Sequence, residues 1–214
     1  MSESQPALPA PDCPLCDRLV GYRQNNQAAH PAWYNGAVPS FGSLDATLLV
    51  VGLAPGVRGA NRTGRPFTGD YAGVLLYQTL LKFGRATGSY GADPADGMAL
   101  VDTRVTNAVR CVPPANLPTP AEISTCNRFL MAELAAMPRL RAILALGGVA
   151  HKAVLRARGL RASHVPFQHG VLHRLADGLV LADSYHVSRL NTNTGRLTTA
   201  MFEAVVADIL KAIT

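Results

Sequence analysis

Residues 46–70 read ATLLVVGLAPGVRGANRTGRPFTGD. The first eight, ATLLVVGL, form a short continuous apolar run that stops at Ala54-Pro55-Gly56, the pattern of a strand buried on both faces that leaves a parallel sheet through a loop. That loop, residues 52–70, carries five glycines, two prolines, three arginines, one phenylalanine and a single acid, Asp70. Next, YAGVLLYQTLLKFG (71–84) sets apolar residues at helical spacing and stops at Gly84, so a helix is expected there. Strand, glycine-rich loop and helix in that order open an α/β sheet.

The same alternation continues downstream. MALVDTRVTNAVRC (98–111) reads as a second strand, and VPPANLPTP (112–120) cannot be regular with its four prolines. Thr119-Pro120-Ala121-Glu122 opens a helix, with Thr119 as N-cap, Pro120 at the first position and Glu122 placed to close a capping box; this helix carries Cys126 through Met137. RAILALGG (141–148) is a third buried strand, VAHKAVLRARG a helix, LHRLADGLVLADSYH (172–186) a hairpin or strand, and a closing helix runs from Thr198 onward. Upstream, residues 1–12 form a polar, proline-rich tail expected to be flexible, and the chain to about residue 45 is irregular, with turn signals at Tyr34-Asn35-Gly36 and Phe41-Gly42. The expected fold is one α/β domain over residues 13–214, three-layered α/β/α around a central, mainly parallel, four-stranded sheet. Ligands of such sheets sit at the carboxyl ends of the strands. The polar loops 54–70, 107–117 and 184–196 should therefore converge on one site.

Bulk properties agree with one folded unit. The 214 residues suffice for a single full core, and 48% apolar against 16% charged residues exclude wholesale disorder. Twenty Lys+Arg against fourteen Asp+Glu give a net charge of +6, the sign a polyanion-binding protein carries. The opening MSESQPALPAPDCPLC has neither a basic nor an apolar leader region, and no window reaches the roughly 18–20 apolar residues of a membrane span. A soluble, cytoplasmic protein is expected, in which cysteines do not form disulfides.

The four cysteines are patterned. Cys13 and Cys16 form a Cys-x2-Cys pair, and Cys111 and Cys126 follow as Cys-x14-Cys. Four thiolates without another ligand type suit either a structural zinc or a 4Fe-4S cluster, and spacing does not separate the two. Either would anchor the irregular segment 13–45 to the loop at Cys111. As for residues 52–70, the lysine of a Walker A loop is missing, and no Gly-x-Gly-x-x-Gly offers a dinucleotide site. What remains is backbone that a ligand can approach closely, cations, one ring and one carboxylate.

These stretches resemble a known family. GLAPGVRGANRTGRPFTGDYAG (52–73), NAVRCVPPANLP (107–118) and HVSRLNTNTGRLT (186–198), with the two cysteine pairs, are similar to the type B (family 5) uracil-DNA glycosylases of bacteria and archaea. The resemblance implies a uracil-DNA glycosylase-like fold, a structural 4Fe-4S cluster on Cys13, Cys16, Cys111 and Cys126, and a monomer that binds DNA. It implies excision of uracil, and of other deaminated bases such as hypoxanthine, from DNA after the nucleotide is flipped from the stack.

By the same resemblance Gly52, Ala54, Phe67 and Asn107 form the base pocket, Phe67 stacking on the base and Asn107 reading the O4 and N3–H edge. His186 donates toward O2 as charge develops, and Asp70 positions water and stabilises the cationic sugar. As a residue before a helix, Asp70 is equally suited to be its N-cap. Arg58, Asn61, Arg62, Ser188, Arg189, Asn191 and Arg196, with Thr192, Asn193 and Thr194, suit phosphate contacts, and Leu190 is the candidate wedge. The chain departs from related enzymes where His-Pro-Ser-Pro becomes His186-Val187-Ser188-Arg189, which removes two rigid positions from the wedge loop. No lysine in the motifs offers a Schiff base, so strand cleavage is not expected. Two other readings stay open: a damaged-base or abasic-site binding protein with little catalysis, separated from the enzyme by where Asp70 points, and an iron-sulfur redox protein, which would have no need of Phe67, Asn107 and His186 together.

Overall fold

A computed structural model of the chain describes residues 8–214, so residues 1–7 of the expected tail lie outside the described residues. The first element is a helix, α1 (Asp17–Ala29), inside the stretch expected to be irregular. Its sequence has no apolar stripe, and only Leu19, Arg23 and Asn26 are buried, so helical periodicity carries no signal there. Docking against the cysteine region holds it. The turn signals downstream are used as expected, with Asn35 at φ +49° and Gly42 at φ +101°.

Strand β1 (Leu48–Gly52) is buried at every position. The glycine-rich loop follows and contains one short turn of helix, α2 (Ala60–Thr63). Helix α3 (Tyr71–Lys82) starts on Asp70, whose side chain accepts from the Ala72 N–H. The expected strand over 98–111 is divided, because Asp102 adopts φ +46° and turns its carboxylate onto the Thr47 N–H and hydroxyl. The upstream piece, β3 (Ala99–Leu100), pairs with β2 (Ala86–Thr87) in a small antiparallel ribbon, and the downstream piece, β4 (Thr103–Asn107), joins the main sheet. Helix α4 (Pro120–Ala135) opens with the full capping box between Thr119 and Glu122. Then come β5 (Ala142–Leu146), α5 (Gly148–Ala157), β6 (Leu172–Arg174), β7 (Val180–Ser184), α6 (Arg189–Asn193) and α7 (Thr199–Ile213).

The main sheet runs β4-β1-β5-β7-β6. Its first four strands are parallel, and β6, the outer arm of the hairpin over 172–184, adds a short antiparallel edge. Thus the four-stranded expectation describes the parallel part, and the fifth strand comes from the hairpin. Alternate residues of β1 enter opposite layers: Leu48 and Val50 pack with α3 and α7, while Leu49 and Val51 pack with α4 and α5. The stripe Phe202, Val205, Val206, Ile209 and Ile213 of α7 is buried, each side chain contributing about 1.5–3 kcal/mol. Between α4 and the sheet, fully buried Glu133 accepts from Arg104 Nε at 2.6 Å and Arg110 Nη2 at 2.5 Å. No helix among the described residues is long and apolar enough to cross a membrane. The carboxyl ends of β1, β4 and β7 lie on one edge, which brings Gly52, Asn107 and Ser184 to the mouths of the three polar loops.

Candidate active site and cysteine cavity

The three loops converge. One cleft of about 730 Å³ is lined by Ala54, Gly56, Gly59 and Asp70 from the loop after β1, Asn116 from the loop after β4, and His186, Ser188 and Leu190 from the loop after β7.

Asp70 serves the helix and the cleft with different oxygens. Oδ1 accepts from the Ala72 N–H at 3.1 Å and caps α3. Oδ2 faces two glycines so closely that a Cβ on Gly56 would lie 2.9 Å from it, and one on Gly59 2.1 Å. These glycines are the floor against which the carboxylate sits. Burial pushes the Asp70 carboxyl up, opposed by the Gly73 and Ala72 N–H groups. The two sequence readings of Asp70, cap and catalyst, are therefore compatible.

Behind it Gly52, Phe67 and Asn107 pack on one another. A Cβ on Gly52 would meet Asn107 Oδ1 and Phe67 Cζ, each at 2.4 Å, so only glycine lets this amide and this ring come so close to the end of β1. Asn107 is buried and its Oδ1 has no hydrogen-bond partner. An unpaired buried amide oxygen is costly unless a ligand completes it. The Phe67 ring lies 6.1 Å from the His186 ring. Phe67 holds φ +52°, a left-handed conformation costing roughly 1–2 kcal/mol for a residue with a side chain. Its surroundings fix it there: the Tyr90 hydroxyl donates to Phe67 O at 3.1 Å, the Tyr77 hydroxyl to Pro66 O at 2.6 Å, and a Cβ on Gly73 would sit 1.8 Å from Phe67 O. Tyr77, Tyr90 and Gly73 lie in helical or loop sequence without a catalytic signature, and only folding reveals their role. His186 is half-buried, and burial lowers its pKa to about 4, so at neutral pH the ring is uncharged and still carries one N–H.

The residues expected to meet DNA, on phosphate or as the wedge, divide. Arg58, Arg62, Arg189, Leu190 and Arg196 are exposed around the cleft and the loop beyond it. Arg196 lies with its guanidinium carbon 4.5 Å from the Tyr185 ring centre. Asn61 corrects the expectation: it is fully buried and donates from Nδ2 to Asn35 Oδ1 at 3.0 Å, tying α2 to the upstream segment, so it cannot reach a phosphate. Asn191 is likewise turned inward, its Nδ2 donating to His186 O at 2.8 Å, and Ser188 caps α6. Arg65, the third arginine of the loop, is buried against Asp96 at 2.7 Å and clamps Thr68 instead of meeting solvent.

The four cysteines line one small enclosed cavity with Leu15, Leu19, Val109 and Phe129. Arg23 Nη1 donates to Cys111 Sγ at 3.1 Å, and the Arg110 N–H to Cys126 Sγ at 3.3 Å. No three of these sulfurs lie within 4.8 Å of one another. Elsewhere, His151, His173 and Asp183 do cluster that tightly, but both ring nitrogens of His151 are engaged, by Asp183 Oδ1 and Val165 O at 2.7 Å each. That group fastens the 165–170 segment to β7.

Comparison with known proteins gives a consistent result. A sequence model described as the uracil DNA glycosylase superfamily matches residues 39–210. A type-5 uracil-DNA glycosylase of Thermus thermophilus is 45% identical over 92% of this chain and 91% of its own. Those of Mycobacterium leprae (43%, over 93% and 90%) and Pyrobaculum aerophilum (42%, over 87% and 83%) are similar to it as well. A type-4 uracil-DNA glycosylase of Pyrobaculum aerophilum is 34% identical over 69% of this chain and 63% of its own.

Proposed function

The chain belongs to the uracil-DNA glycosylase superfamily and within it to the type-5 enzymes, and from that premise we propose how its residues hydrolyse the N-glycosidic bond of uracil in DNA. The observation that carries the reading is Asp70, which caps α3 through Oδ1 and lines the same cleft as His186. A flipped uracil is received beside Gly52, where Phe67 and Asn107 meet. Phe67 takes its face, and Asn107 accepts from N3–H and donates to O4. As the bond to the sugar breaks, its electron pair passes to the base, and neutral His186 donates a hydrogen bond to O2, where negative charge grows. Asp70 orients water toward the sugar carbon and lies below the developing cation. The water oxygen bonds to that carbon and yields its proton through Asp70, leaving an abasic site and intact strands.

The reading extends to other deaminated bases such as hypoxanthine, because Gly52 offers the base only backbone and one amide reads its edge. It has the chain working as a monomer in the cytoplasm, associated with the nucleoid through DNA, and draws on the net charge of +6. It also assigns Cys13, Cys16, Cys111 and Cys126 to a structural 4Fe-4S cluster. Supporting this are four thiols around an apolar cavity and two N–H donors aimed at sulfur. When bound, the cluster supplies a cross-link between α1, the loop after β4 and α4.

The test is excision from labelled oligonucleotides carrying uracil opposite G or A, or hypoxanthine opposite T, with alkali to cut abasic sites. Alkali-dependent cleavage of both lesions is expected. Tight binding without cleavage would favour the lesion-binding alternative, and cleavage of uracil alone would confine the enzyme to that base.

A further inference from the structure

Next to Asn116 of the cleft wall stands a second exposed leucine that the mechanism does not use. Leu117 is 69% exposed and Leu190 72%. Leu117 tips the loop after β4, beside Asn116, which lines the cleft together with Leu190. The loop is built to hold it out. Val112 and Pro113 are buried at its foot, Ala115 and Asn116 are both left-handed at φ +54° and +57°, and Pro118 and the Thr119–Glu122 capping box close it on the far side. Arg18 of α1 donates from Nη2 to Leu117 O at 3.0 Å while it grips both Glu122 oxygens at 2.7 Å. Two successive left-handed residues with side chains are a costly way to expose a leucine that packs on nothing.

Sheet order sets the reach. Leu190 follows β7 and Leu117 follows β4, with β1 and β5 between them. Three inter-strand steps of about 4.8 Å separate the strand ends from which the two loops leave by roughly 14 Å. The loops thus start well apart, and the slot that one base vacates has room for one leucine. We propose that Leu117 is a second DNA-inserting residue, which packs against the complementary strand opposite the lesion while Leu190 fills the vacated slot. This inference rests on the proposed function. The ligand is duplex DNA, and a single strand offers Leu117 nothing.

The test uses Leu117→Ala, at an exposed position where folding is not at stake, beside Leu190→Ala and the wild type. For Leu117→Ala, excision of uracil opposite G should fall about tenfold in duplex DNA and remain at the wild-type rate in single-stranded DNA. In the Asp70→Asn background, which removes turnover from the readout, 2-aminopurine placed opposite the uracil should brighten on binding, and Leu117→Ala should abolish that rise. A wild-type duplex rate with an unchanged 2-aminopurine signal would overturn the inference, as would equal losses on both substrates. A wild-type chain that excises nothing would sink the proposed function alone, because the fluorescence arm still decides the role of Leu117.

Discussion

The glycines of the loop after β1 do separate jobs. Gly56 and Gly59 make room for Asp70, whereas Gly52 makes room for the Asn107 amide and the Phe67 ring. A methyl added by Gly52→Ala meets those two side chains and not backbone, so the sheet should stand while they shift. On the proposed function, excision should then fall on the order of 100-fold as Phe67 and Asn107 leave their places; a melting temperature measured with the rate separates loss of the site from unfolding. His186 carries a pH signature. Its folded pKa of about 4 lies below the ordinary value near 6.5, so the unfolded chain binds more protons between those limits. The contribution is fully present above about pH 6.5 and is lost as pH falls toward 4. His186→Asn should thus lose less stability than the wild type over that window in parallel thermal melts. That the loops after β1, β4 and β7 converge was readable from the strand pattern; Asp70, Phe67, Asn107 and His186 were picked out by the family resemblance, and of these Asp70 and His186 line the cleft. The inward turn of Asn61 and Asn191 was not legible, because a polar residue in a polar loop gives no local sign that it points inward.

At the scale of elements, polar contacts do what the loop sequences cannot. The loop after β7 has no proline between His186 and Arg189, yet Val187 is buried, Ser188 caps α6, and Asn191 closes back on His186 O. Local hydrogen bonds replace ring constraint, which is why a helix forms where sequence periodicity offers five residues at most. Helix α1 was illegible for a related reason, since it docks by Leu19, Arg23 and Asn26 without an apolar stripe. By contrast, α4 was legible to its first residue, because a capping box is a local motif. Its buried Glu133 holds Arg104 and Arg110 between α4 and the sheet. Glu133→Ala leaves two buried guanidinium groups without their carboxylate and should cost about 3–5 kcal/mol in denaturant unfolding. A loss below 1 kcal/mol would mean that water or Ser40 takes over the arginines.

For the whole molecule, the parallel sheet was legible because β1 and β5 are unbroken apolar runs, whereas β6 and β7 were legible only as a hairpin or strand over 172–186, because LHR alone is too short to declare itself. The cysteine cavity joins α1, the loop after β4 and α4, so its occupant should govern the stability of the side of the cleft that carries Asn116 and Leu117. Cys126→Ser is expected to lose iron and acid-labile sulfide together and to lower the melting temperature, whereas a purified wild type holding zinc in place of iron would contradict the cluster assignment. The central claim is that Asp70 drives hydrolysis inside a cleft that binds DNA without it. Single-turnover excision of uracil opposite G by Asp70→Asn, measured beside duplex affinity, tests it most directly, since asparagine keeps the helix cap. The account expects a loss of about 100-fold or more in rate with affinity within about twofold of the wild type; a rate within threefold of the wild type would contradict it.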